Sequence, residues 1–205
     1  MKKTVSILTL VVLLITSCKS DKKGNATDAA SGATKQWVDS LIYPEEVHFK
    51  SIRQVTFGGD NAEAYWSFDD KQIVFQSNNK NWDVECDQMF LMNADETFDG
   101  TVPPMVSTGL GRTTCAYFLP DNKHFVYGST HLGGDECPPA PLKRDGKYIW
   151  PIYPSYDIFV ADLEGNITAQ LTNEPGYDAE ATVSPKGDKI VFTSMRTGDL
   201  ELFTM

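Results

Sequence analysis

Two glutamates stand in matching surroundings: Glu63 between Ala62 and Ala64, and Glu180 between Ala179 and Ala181. A third stretch, Thr114-Cys115-Ala116, sets a thiol where the other two carry a carboxylate. Carboxylates repeated at one structural position could together hold Ca²⁺ or a basic group. Equally, each could accept backbone N–H bonds in its own turn and merely shape the chain. Asn61 and Asp178, two residues earlier, fit either role. A second collection lies further along: His131, Asp135, Trp150, Tyr153 and Tyr156. Aromatic rings with a few polar groups are what a recognition surface uses, and also what a Pro-rich loop uses to cover itself.

None of the familiar catalytic signatures accompanies them. The chain has no Gly-x-Ser-x-Gly elbow, no His-Glu-x-x-His and no phosphate loop. Its histidines, His48, His124 and His131, are scattered. The expectation is a protein that binds rather than catalyses, without a cofactor other than an optional Ca²⁺.

The elements that position these residues are repeats. Residues 61–77 align without gaps to 178–194, with eight identities in seventeen positions, and residues 113–129 align to 61–77 with six. Ala64, Ala116 and Ala181 are equivalent, at spacings of 52 and 65 residues. Within the last copy, Ser184-Pro185-Lys186-Gly187 reads as a tight turn. Ile190-Val191-Phe192 follows as an apolar run suited to a strand covered on both faces. Several short strands repeating at this length predict an all-β chain, a β-propeller of four-stranded antiparallel blades. Trp66, Phe118 and Val183 fall at matching inner-strand positions and are expected in the core.

Residues 181–205 closely resemble the TolB-type, WD-like propeller repeat, which also builds the propeller domains of prolyl-oligopeptidase-type peptidases. The resemblance covers about residues 46–205. The middle copy departs from it, with Leu119-Pro120 in place of Ser-Pro and a long insertion at 131–155. Blade 1 is expected at about 62–107 with an outer strand at 102–107, blade 2 at about 112–173, and blade 3 from about 177. A strand over 47–57, whose Gln54-Val55-Thr56 resembles Gln170-Leu171-Thr172, is expected to close the ring at its outer edge. Blade 3 reaches Met205 after its third strand. Two blades and most of a third predict the N-terminal portion of a longer ring.

In the usual propeller layout Cys86, Cys115 and Cys137 fall on one face of the disc, together with Glu63, Glu180 and the insertion. One disulfide is then expected, Cys115–Cys137 within a blade, with Cys86–Cys115 as the alternative. A zinc site from the three thiols and His131 has no recognised spacing.

The N-terminus is a targeting segment: Lys2 and Lys3, a short apolar run from 7 to 15, then Ile15-Thr16-Ser17-Cys18. That ending resembles a bacterial lipobox, which implies cleavage before Cys18 and its lipidation. Lys19 implies sorting to the outer membrane, facing the periplasm or the surface. Residues 19–36 are a polar Ser/Gly/Ala/Lys tether, and 37–205 form the propeller portion. Six of the 18 basic residues but only two of the 28 acidic ones precede residue 36. A domain left that acidic is a poor partner for nucleic acid or anionic lipid. The expected role is a lipid-anchored, non-catalytic scaffold in the cell envelope that binds a protein or small ligand. The alternatives are the N-terminal propeller of a prolyl-oligopeptidase-type serine peptidase and a Ca²⁺-dependent glycan or peptide binder.

Overall fold

The computed structural model describes residues 41–140 and 143–205. The expected signal segment 1–18, with its expected lipidation at Cys18, and the expected tether 19–36 lie outside them. Every described residue falls in the unit Val38–Met205.

Among the described residues, ten strands form three antiparallel sheets. The first contains β1 (Asp60–Trp66), β2 (Gln72–Asn78) and β3 (Gln88–Asn93) in that order. The second contains β4 (Thr113–Phe118), β5 (His124–Ser129), β6 (Asp157–Asp162) and β7 (Ile167–Gln170). The third contains β8 (Asp178–Val183), β9 (Ile190–Ser194) and β10 (Glu201–Thr204). The sheets stack face to face as successive blades, the all-β, partial β-propeller architecture that the repeats predict.

Each repeat contributes the same two backbone devices. In β1, β4 and β8 the pairing register slips at Ala62/Tyr65, Thr114/Tyr117 and Ala179/Thr182. The bulged residue has positive φ every time: Glu63 at 49°, Cys115 at 45° and Glu180 at 59°. A bulge of this kind bends the inner strand and re-aims one side chain. Ten residues into the repeat, Asp70, Asn122 and Gly187 take positive φ in the hairpin turn. Ser67 and Ser184 close their turns by accepting from the backbone amides of Gln72 and Asp188. Where the middle copy has Leu119 instead, Asp121 takes over and accepts from the amides of Lys123 and His124. Neighbouring turns touch: Asn122 accepts from the amide of Asp69, and a Cβ on Gly187 would lie 2.1 Å from Pro120.

Two apolar seams join the blades. Val74, Met89 and Leu91 of the first sheet pack against Ala116, Phe118, Phe125, Tyr127 and Phe159 of the second. Val126 and Ile158, on the other side of the second sheet, pack against Ala181, Val183 and Phe192 of the third. Contiguous burial on both faces of the central sheet is why its strands lack polar alternation.

Four expectations change. Residues 47–57 form no strand; they run beside the turn at 94–98, where Thr56 bridges Phe98 and the Arg53 guanidinium donates to the carbonyls of Ala94, Asp95 and Glu96. The outer edge of the first sheet is broken rather than a full strand. Pro103 and Pro104 lack donors, so the backbone bonds spanning it are Leu91 N–H to Pro104 O and Val106 N–H to Met89 O, and Ser107 Oγ adds a side-chain link by accepting from Met89 N–H and donating to Gln88. Trp66 is exposed, unlike its equivalents Phe118 and Val183, because no sheet covers that side of β1 among the described residues. Val191 is likewise exposed on the far side of β9. No helix among the described residues is long and apolar enough to cross a membrane.

Candidate functional site

The bulges bring three side chains into one row across the blades. The Cys115 thiol lies 3.6 Å from Glu63 Oε2 and 3.3 Å from Thr114 Oγ1. Burial, with the Glu63 and Glu180 carboxylates close by, pushes the thiol up to about 12. The carboxylates are engaged within their own blades. Glu63 accepts from the Tyr65 hydroxyl at 2.7 Å. Glu180 accepts from Tyr177 at 3.2 Å and from Thr193 at 2.9 Å. No group of three or more His, Cys, Asp or Glu able to hold a metal occurs among the described residues. The row therefore offers carboxylate acceptors beside a neutral thiol.

Beside this row, at the seam between the first two sheets, lies a cleft of about 120 Å³. Its floor is polar. Arg112, just ahead of β4, forms an ion pair with Asp87, just ahead of β3, and Gln76 on β2 accepts from the amide of Cys115. Both members of the ion pair are largely withdrawn from solvent, which strengthens their attraction over that of a surface pair. Its walls are aromatic. Tyr156 and Tyr177 are buried and meet edge to face with centroids 5.4 Å apart. Tyr148 and Trp150, from the insertion, stand at the rim with 73% and 56% of their surface exposed. Burial holds both Tyr156 and Tyr177 well above the ordinary phenol range, so they are hydroxyl donors at any physiological pH. The cleft can thus receive a flat apolar group between rings while hydrogen bonding a polar end at its floor.

A disulfide fastens the insertion to the first blade. It joins Cys86 to Cys137, with Cα atoms 5.9 Å apart, and leaves Cys115 free. This corrects the expected Cys115–Cys137 pairing and its Cys86–Cys115 alternative. The bulge turns Cys115 toward Glu63, away from the insertion, while Arg112 holds Asp87, next to Cys86, and points its other amino group at Cys137, 3.7 Å away.

Of the residues singled out in the sequence, Trp150 and Tyr156 line the cleft, and Glu180 touches it through Tyr177. Tyr153 ties the insertion down instead, donating to the Pro139 carbonyl and lying against Tyr156. His131 is a packing residue: its ring lies 4.5 Å from that of Phe159, its Nδ1 meets Ser129 Oγ, and burial lowers its pKa. Asp135 contributes its backbone carbonyl to Gly111 and leaves its side chain exposed. Gln76, Asp87, Arg112 and Tyr177 carry no motif. Their one sequence signal is position, since Asp87 follows a cysteine and Tyr177 and Arg112 immediately precede repeat copies.

Stacked, bulged sheets of this kind define an arc of a β-propeller. Solved structures give the type. A protein assigned as TolB from Agrobacterium tumefaciens is similar with a TM-score of 0.50 at 18% identity, over 76% of this chain and 47% of that one. TolB from Acinetobacter baumannii aligns with a TM-score of 0.42 at 19% identity, over 71% of this chain and 29% of that one. This chain spans about half the length of the first. Similarity at that identity establishes a TolB-like fold. No protein-family model and no curated protein sequence matches the chain.

Proposed function

We propose that this protein is a non-catalytic, lipid-anchored propeller of the bacterial cell envelope that binds a protein partner through the cleft between its first two blades. The observation that carries the reading is the pair of exposed rings, Tyr148 and Trp150, standing over the withdrawn Arg112–Asp87 pair. Exposed aromatics around a desolvated polar centre are the usual anchors of a protein interface. The anchor and the envelope location are supported by the basic and apolar N-terminus ending in Ile15-Thr16-Ser17-Cys18, followed by a polar tether. The acidic balance of the remainder favours a partner with a basic contact surface over nucleic acid or anionic lipid.

The test is retention of envelope proteins from the native host on the immobilised chain. Trp150→Ala removes a ring that is 56% exposed at the rim, and is expected to weaken retention of the bound species at least about tenfold. Retention unchanged by Trp150→Ala and by Tyr148→Ala would place the binding surface elsewhere.

A further inference from the structure

The cleft between the first two blades has a chemical bias that narrows what a partner brings to it, given the binding role proposed for it. Four aromatic residues line it: Tyr148, Trp150, Tyr156 and Tyr177. The face of an aromatic ring attracts a cation and repels an anion. The Tyr177 hydroxyl donates to Glu180 at 3.2 Å, which keeps a carboxylate beside that ring. The floor does not oppose this bias. Arg112 is already paired with Asp87, which gives Oδ2 to the guanidinium and has no hydrogen-bond partner on Oδ1 among the described residues. Gln76 Oε1 accepts one long bond, 3.4 Å from the Cys115 amide, and keeps a lone pair for a second donor. With Arg112 and Asp87 cancelling each other, the Glu63 and Glu180 carboxylates flanking Cys115 leave the surroundings negative.

Size and shape narrow the choice further. At about 120 Å³ the cleft takes the end of one long side chain rather than a larger ligand. A lysine ammonium is a compact, strongly hydrated point charge, costly to bring among rings. A guanidinium is flat and more weakly hydrated, stacks on aromatic faces and presents its donors in one plane. The chain uses that combination within its third blade. The Arg196 guanidinium lies 5.0 Å from the Phe192 ring and 5.2 Å from the Phe203 ring while donating to both oxygens of Asp178, at 3.3 and 3.2 Å. We infer that the cleft recognises an arginine side chain of the protein partner, which passes Tyr148 and Trp150 at the rim, lays its guanidinium among the rings and donates to Asp87 Oδ1 at the floor. Arginine is then the residue on which the partner's basic contact surface is centred.

Three small probes separate the contributions on the full chain. Nα-acetyl-arginine methylamide carries the charged, flat head. Its citrulline counterpart keeps the flat head without the charge, and its lysine counterpart keeps the charge without the flat head. Binding is read as the change in tryptophan fluorescence that disappears in Trp150→Phe. The arginine probe is expected to bind at least about tenfold more tightly than either of the others, and to elute the envelope proteins retained on the immobilised chain. Equal binding of the citrulline probe removes the role of charge, and equal binding of the lysine probe removes that of the guanidinium. Either result overturns the inference, as does a signal that persists in Trp150→Phe. No binding of the arginine probe, with retention still weakened by Trp150→Ala, overturns the arginine site and leaves the cleft as the partner's surface. Tight binding of the arginine probe, with retention unmoved by Trp150→Ala, upholds the arginine site and overturns the cleft's role in holding the partner.

Discussion

The Arg112 guanidinium on the second blade meets the Asp87 carboxylate on the first, across the seam that carries the cleft. Both side chains are mostly withdrawn from water, at 22% and 14% exposure, so removing one leaves the other charged and poorly hydrated. Arg112→Ala is therefore expected to destabilise the chain by roughly 2 kcal/mol, below the 3–5 typical of a fully buried pair because some solvent reaches it. Thermal melting should read a fall of about 4–8 °C. Removing both partners should cost less than the sum of the single losses, and strict additivity would mean that the pair does not interact.

The Cys86–Cys137 bridge closes a loop between residues 51 apart in the sequence. Constraint of the unfolded chain over that length is worth roughly 4 kcal/mol. Cys86→Ser and Cys137→Ser should each lower the urea midpoint strongly and by a similar amount. Cys115→Ser should leave the bridge intact. A mass-mapped disulfide from Cys115 would contradict this arrangement.

Cys115 also sets a pH dependence. Its thiol rises from 9.0 to about 12 on folding, from burial first and from the flanking carboxylates second. A group raised in the folded state contributes stability that is complete below its unfolded value and is lost as pH climbs through the folded one. Stability should therefore decline between pH 9 and 12, and less steeply in Cys115→Ala. At pH 8 the folded thiol should react with a disulfide reagent more slowly than the unfolded one. His131 acts at the other end of the scale. Its lowered pKa means stability is present above pH 6.5 and declines below it, a decline that His131→Gln should flatten.

Tyr127 is fully buried in the first seam, and its hydroxyl has no hydrogen-bond partner among the described residues. Burial without a partner costs about 1–3 kcal/mol. Tyr127→Phe keeps the ring against Phe125 and Phe159 and removes that cost, so the variant should be more stable by about 1 kcal/mol. A less stable variant would mean that the hydroxyl is satisfied in solution.

The repeats made the sheets legible: Ala64, Ala116 and Ala181 mark the inner strands, and the positive-φ residues recur at the same two places in each copy. The row of Glu63, Cys115 and Glu180 followed from the same alignment. Less was legible where the chain leaves the repeat. The disulfide pairing depends on where a bulge aims Cys115, which residue spacing does not specify. The cleft floor depends on Arg112 and Asp87 meeting from connections of two different blades, a long-range contact with no periodic signal. Trp66 and Val191 were misplaced for a different reason: their apolar character does match their buried counterparts, and they are exposed because no sheet covers them among the described residues.

The most direct test of the binding account is photo-crosslinking in the native host, with a photoreactive residue replacing Tyr148 at the cleft rim. A control replaces Lys186 in the β8–β9 turn. The account predicts a discrete protein adduct from position 148, lost on adding Trp150→Ala, and none from position 186. No adduct from position 148, or equal labelling from both positions, would contradict it.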